Sequence, residues 1–151
     1  MSKGSRVVAE TLNCQEPGAN VSIRGMSISD VDDVAKLLTA VGLCKPADAA
    51  NRIRRLHGRH QETCFVAECN QELVGVVLAV YTGFHVWITH VAVANGKRGT
   101  GVGQALHEKL LRTARGLGAA GIVVDSWLSS VGFYYRLGYR TPGAVFLIKD
   151  I

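Results

Sequence analysis

None of the four cysteines, Cys14, Cys44, Cys64 and Cys69, falls into a CxxC pair. Cys64 and Cys69 differ by five, so one uninterrupted strand would point them to opposite faces, and shared metal ligation is not expected. Reduced, partly buried thiols are the default for such a set. The first twenty residues lack a charged start followed by a long apolar run, and no later segment approaches the about 18 consecutive apolar residues that cross a bilayer. The expectation is a cytosolic protein with no membrane partner. There is no internal repeat and no low-complexity segment.

What is present is ordinary globular material. A chain of 151 residues with 48% hydrophobic side chains suits one domain around one core. Seventeen Lys and Arg against twelve Asp and Glu give a net charge of +5, which favours an anionic ligand without requiring nucleic acid. Residues 1–20 are mixed and pass through Pro17 and Gly18, so they read as a tail, with an extra edge strand over Arg6 to Leu12 as the alternative. The domain proper is assigned to residues 21–151.

Within it, Val21 to Arg24 reads as a short strand. Ser29 is placed as a helix N-cap, with Asp30, Asp32 and Asp33 in the first turn and Val31, Val34, Ala35, Leu37, Leu38 and Val41 as the apolar face; Gly42 ends that helix. Pro46 is placed in the first turn of a second helix reaching about His57, with Ala49, Ala50, Ile53 and Leu56 inward and Arg52, Arg55 and Arg59 on another side. Thr63 to Glu68 and Leu73 to Tyr81 form a hairpin turning at Cys69, Asn70 and Gln71, and Phe84 to Val93 is a third long strand. Helical spacing of Val102, Ala105, Leu106, Leu110, Ala114 and Leu117 marks a helix from Gly101, with His107, Glu108 and Lys109 largely outside the stripe. A short buried strand at Ile122 to Asp125, a short helix from Ser129 to Leu137 stopped by Gly138, and a final strand from Ala144 to Ile151 complete the sequence.

Chemistry concentrates where the third long strand meets the long helix. Arg98, Gly99, Thr100, Gly101, Val102 and Gly103 stand where unbonded amides converge on the positive end of a helix dipole, a setting that suits a pyrophosphate. Glycine is required there because a Cβ would block both the backbone angles and the approach of phosphate oxygens. The other phosphate loops fail on the same residues. GxxxxGK[ST] is absent, and GxGxxG begun at Gly99 finds Gln104 at its last position.

The pattern Arg98-x-x-Gly101-x-Gly103, following a strand that ends Val91-Ala92-Val93, resembles the acyl-CoA signature of the GNAT superfamily of N-acyltransferases. Phe133-Tyr134-Tyr135-Arg136-Leu137-Gly138-Tyr139 is similar to the family's late helix and turn, and Val66-Ala67-Glu68 leading to Leu73-Val74-Gly75 to its central hairpin. The likeness covers about Val21 to Ile151. It implies an α/β (α+β) three-layer fold with helices on both faces of a mixed, largely antiparallel sheet of about six to seven strands. That sheet would splay at the cofactor site, between the strand ending Val93 and the strand Ile122 to Asp125.

The resemblance further implies acetyl-CoA, or coenzyme A, as co-substrate and no metal. Val91, Ala92 and Val93 would hold the pantetheine arm like an added strand, and amides from Arg98 through Gly99, Thr100, Gly101, Val102 and Gly103 to Gln104 would take the pyrophosphate. Tyr134 matches the family tyrosine that protonates the departing thiolate. At one position the chain departs from the family, carrying Trp127 where many members have an asparagine that contacts the arm.

The resulting expectation is an N-acetyltransferase that moves an acetyl or short acyl group to a primary amine by direct attack. Its alternative is a catalytically weak CoA-binding regulatory or interaction module. The proton acceptor is left among His85, His90 and a water chain, with Asp125 and Glu68 behind them. By resemblance, side chains bordering the acceptor share the parity of Val91 and Val93, which selects His85, Trp87 and Thr89 unless a bulge intervenes. The acceptor is a small-molecule or protein amine, and Val41 to Asp48 and Thr141 to Gly143 are expected to line its pocket. Arg52, Arg54, Arg55 and Arg59 are not interleaved with aromatics, so single-stranded nucleic acid is not the expected partner. A homodimer through the apolar last strand is the expectation for assembly.

Overall fold

The computed structural model describes residues 10–13, 20–144, 147–149 and 151. Residues 6–9 of the suggested edge strand, together with Cys14, Pro17, Gly18, Val145, Phe146 and Asp150, lie outside the described residues. Six strands form one sheet in sequence order: β1 (Glu10–Asn13), β2 (Asn20–Gly25), β3 (Cys64–Cys69), β4 (Glu72–Tyr81), β5 (His85–Val93) and β6 (Gly121–Val124). All neighbouring pairs are antiparallel except β5 with β6, which run parallel around the crossover helix α3 (Val102–Gly116). The hairpin between β3 and β4 turns on Asn70 and Gln71, both at positive φ (51° and 67°), which matches the right-handed twist of the paired strands.

Alternation along the strands divides the interior in two. On one face Val77, Ala79, Val86 and Ile88 pack against Val102, Leu106 and Leu110 of α3 and Tyr134 of α4 (Val131–Arg136). On the other, Val66, Val76, Leu78 and Ala92 pack against Val34, Leu37 and Leu38 of α1 (Val31–Ala40) and Ala49 and Ile53 of α2 (Ala49–His60). The result is a three-layer α/β fold. Gly75 lets α3 come close: a Cβ there would lie 2.8 Å from Val102 Cγ1 and 3.1 Å from Leu106 Cδ1.

Several element boundaries differ from expectation, each for a local reason. The first helical stretch is capped by Ser27, not Ser29. Its N–H donates to Asp30 Oδ2 at 2.7 Å while Asp30 N–H donates back to the Ser27 carbonyl at 3.1 Å, and a 3-10 turn over Ile28–Asp30 leads into α1. Arg24 grips the same Asp30 with two N–H donors at 2.7 and 2.8 Å and also pairs with Glu68, tying the cap to the sheet. Gly42, at φ +78°, ends α1. The second helix begins at Ala49 with Asp48 before it, three residues beyond Pro46, and continues past His57 to His60. His57 is buried because its Nε2–H donates to the Met26 carbonyl at 2.8 Å, joining α2 to the end of β2.

The strand expected to be buried at Ile122 to Asp125 runs Gly121–Val124 and is only half covered, with Val123 exposed, because it is the sheet's edge among the described residues. Ala144 and residues 147–149 belong to no strand, so the expected final strand is not found among the described residues. No described helix is long and apolar enough to cross a membrane.

Candidate functional site

The site originates in one irregularity of β5. His90 pairs with Leu78, yet the next pair is Ile88 with Ala79, so Thr89 is an extra residue with no partner of its own. Its hydroxyl donates to the Leu78 carbonyl at 3.0 Å, meeting an acceptor at the break. Pairing with β6 stops at the same point: the last register pair is Ile88 with Val124, and from Thr89 onward β5 has β4 on one side and, among the described residues, no strand on the other. The sheet therefore splays where the bulge sits.

A cavity of about 820 Å³ fills the splay. One wall is the free edge of β5 at Val91, Ala92 and Val93; the floor is the loop with Arg98, Gly99, Gly101, Gly103 and Gln104; the far wall is α4 with Phe133, Tyr134 and Arg136. Thr100 and Val102 do not line it. Thr100 instead braces the loop by donating to the Lys97 carbonyl at 2.6 Å, and Val102 is buried against Gly75. Gly99 and Gly101 adopt φ of +77° and +89°, a left-handed geometry that glycine takes without strain. The Ala105 N–H, bonded to the Gly101 carbonyl at 3.0 Å, is the first α3 amide to find a backbone acceptor; those of Arg98 to Gln104 find none among the described residues. A row of unbonded donors at a helix N-terminus is a site for an anion.

Tyr134 reaches the cavity from α4. Only 8% of it is exposed, its ring meets those of Phe133 and Tyr139 edge to face, and its hydroxyl has no hydrogen-bond partner among the described residues. Burial, and then the Asp125 carboxylate, push its pKa above the ordinary phenol value, so the proton stays on at neutral pH. Trp127, at the family's asparagine position, also lines the cavity, largely exposed. Lys97, Ser129, Ser130 and Arg136 line it too; Arg136 belongs to the late motif, while no motif singled out Lys97 and Ser130.

The bulge also reverses the parity on which the histidine assignment depended. Val86 and Ile88 face α3, but beyond Thr89 it is Val91 and Val93 that pack on that side while Ala92 faces α1 and α2. His85 and Trp87 thus lie on the face opposite Val91 and Val93. His85 is exposed at the far end of β5, beside Gly121, away from the cavity. His90 shares the α1 and α2 side with Ala92 and lines a second cavity of about 450 Å³ with Leu43, Cys44, Arg52, Ile53 and Leu78. Leu43 borders both cavities.

Hydrogen bonding fixes the state of His90. Thr89 Oγ1 spends its proton on Leu78, so toward His90 Nδ1, 3.2 Å away, it can only accept. Nδ1 therefore carries the ring proton and Nε2 keeps its lone pair, 3.8 Å from Cys44 Sγ. Burial lowers the His90 pKa, opposed by the Asp125 carboxylate, and raises that of Cys44, opposed by Arg52. Asp125, held by the Trp87 Nε1–H at 3.1 Å, is thus within electrostatic reach of both His90 and Tyr134. Glu68 is occupied by Arg24, and the remaining buried histidine, His107, is bonded to the Tyr139 hydroxyl at 2.8 Å.

Known proteins share this fold. The family model described as Acetyltransferase (GNAT) family matches residues 34–139. Human N-acetyltransferase 8B is 33% identical over 94 residues, 56% of this chain, and the chain spans 41% of that relative's length. Among solved structures, Ard1 from Thermoplasma volcanium superposes with a TM-score of 0.72 at 22% identity, covering 78% of this chain and 81% of that one. AAC(6')-Iy in complex with a bisubstrate analog, CoA-S-monomethyl-acetylneamine, gives 0.71 at 18% identity, covering 87% and 98%. With a family model matched from α1 through the end of α4 and a fold shared with these structures, the chain belongs to the GNAT acetyltransferase family.

Proposed function

We propose that the protein is an N-acetyltransferase that transfers an acetyl or short acyl group from acetyl-CoA to a primary amine by direct attack within a ternary complex. The observation that carries this reading is the meeting, in one cavity, of the unbonded amides of the glycine loop and the accessible, unpartnered hydroxyl of the otherwise buried Tyr134. The residues fit the co-substrate. The loop amides suit the pyrophosphate, the free edge of β5 at Val91 to Val93 offers backbone groups to the amide-bearing arm, and Trp127 offers an apolar cover where the family asparagine is missing.

On this reading the amine nitrogen bonds to the thioester carbon, the carbon–sulfur bond breaks, and Tyr134 gives its proton to the departing thiolate. The amine must lose a proton. His90 Nε2 is the group assigned to take it, directly or through one water, since it is the unprotonated ring nitrogen, met only by the weakly donating Cys44 thiol, and burial favours its neutral form. His85 loses that assignment by its position. Most of the acceleration comes from holding amine and thioester together, with acid and base help adding about 10²- to 10⁴-fold.

Release of free CoA from acetyl-CoA with a panel of primary amines, compared between wild type and Tyr134→Phe, tests the proposal. Amine-dependent release that collapses in the variant is expected. Tight acetyl-CoA binding with no amine-dependent release in either protein would favour the alternative, a CoA-binding module.

A further inference from the structure

The second cavity has a chemical character of its own. Its walls are apolar, formed by Leu43, Ile53 and Leu78, while the rim carries two cations, Lys45 and Arg52, against one anion, Asp48. Asp48 does not neutralise Arg52: the two stand 4.0 Å apart with both side chains largely in solvent, a separation at which an exposed pair is weak. His90 also lines the cavity, and an imidazole cannot supply a negative charge to offset these cations. The volume of about 450 Å³ falls in the range of small-molecule sites.

From this we infer that the acceptor is a small amine with an apolar body and an anionic group at its far end, and that Arg52, with Lys45, selects it by binding that anion at the rim of the second cavity. The inference rests on the transfer reading, with the amine pointed at His90 and the acetyl donor beyond Leu43. A guanidinium suits the task because its fork of donors matches a carboxylate or a phosphate. A polycationic amine, by contrast, meets two like charges at the rim.

A matched set of phenethylamines bearing a para-carboxylate, a para-carboxamide or a para-aminomethyl group tests this. Turnover and protection of Cys44 from iodoacetamide are followed in wild type, Arg52→Gln and Arg52→Glu. Cys44 serves as the reporter because it lines the same cavity. The carboxylate compound is expected to be acetylated with a kcat/KM about tenfold above the carboxamide. That preference should vanish in Arg52→Gln and reverse in Arg52→Glu, through KM for the amine and with KM for acetyl-CoA unchanged. Protection of Cys44 should follow the same order.

Equal use of the three compounds, a preference for the aminomethyl one, or protection indifferent to Arg52 overturns the inference even if acetylation occurs. Absence of both turnover and protection overturns it as well. Selective, Arg52-dependent protection without turnover upholds the acidic site while the transfer reading fails.

Discussion

The two cavities on either side of Leu43 are made by different means. The larger sets main chain, in a free strand edge, two glycines at positive φ and a row of unbonded amides, against the side chains of α4. The smaller is built from side chains carried by four separate stretches, the loop after α1, the helix α2, the strand β4 at Leu78 and the bulged strand β5. Backbone geometry is dictated locally, by glycine and by where a strand gives way to a helix. Side-chain convergence depends on register, and a single extra residue in β5 decides it. On the proposed function, the first kind of site holds the donor and the second presents the acceptor.

Variants can break that division of labour. The largest effect is expected for Tyr134→Phe, which removes the proposed acid and leaves the cavity wall: kcat should fall about 10²-fold or more, with acetyl-CoA affinity unchanged by calorimetry. His90→Asn should lower kcat to a similar or smaller extent and change its pH dependence. In the wild type, burial lowers the His90 pKa, with Asp125 opposing and the thiol of Cys44 neutral, so the active neutral form is gained as pH rises through a value below the ordinary 6.5. The acid limb of the rate profile should therefore lie below pH 6.5 and disappear in the variant. Gly101→Val attacks the backbone-built half, because a β-branched residue at φ +89° is strained and shifts the loop amides. Acetyl-CoA affinity should fall about tenfold, while amine-dependent protection of Cys44 survives.

How far each half could be seen in the sequence follows from the same contrast. The glycine loop, the strand before it and the two apolar faces were legible because alternation and glycine spacing are local signals. The bulge was not. Thr89 sits in a run, Ile88-Thr89-His90-Val91, with no glycine or proline to mark an irregularity, so strict alternation put His85 on the wrong side. Cys44 and His90 are 46 residues apart and meet only after α1, α2 and β5 have packed. His107 falls outside the apolar stripe of α3 yet is buried, because Tyr139 supplies the polar partner. One miss did leave a signal: Ser27-x-x-Asp30 is an acidic relative of the capping box, and it marked the true helix start.

Smaller effects sharpen the account of what holds the two halves in place. Gly75→Ala should destabilise the fold by about 1–3 kcal/mol in urea unfolding, since its Cβ must displace the buried Val102 beneath the loop. Weaker acetyl-CoA binding should accompany it. Asp30 provides the mildest test. The Arg24 guanidinium holds its carboxyl at about 2, below the ordinary 3.8. Its contribution is thus full above about pH 4 and lost as pH falls toward 2. Asp30→Asn should shrink the difference in unfolding midpoint between those pH values.

The central claim is that main chain holds the donor while Tyr134 and His90 run the transfer. Calorimetric binding of acetyl-CoA, measured beside amine-dependent CoA release for wild type, Tyr134→Phe and His90→Asn, tests it most directly. Unchanged affinity in all three proteins with release sharply reduced in both variants is expected; unimpaired release in the variants, or affinity lost along with it, would overturn this division of roles.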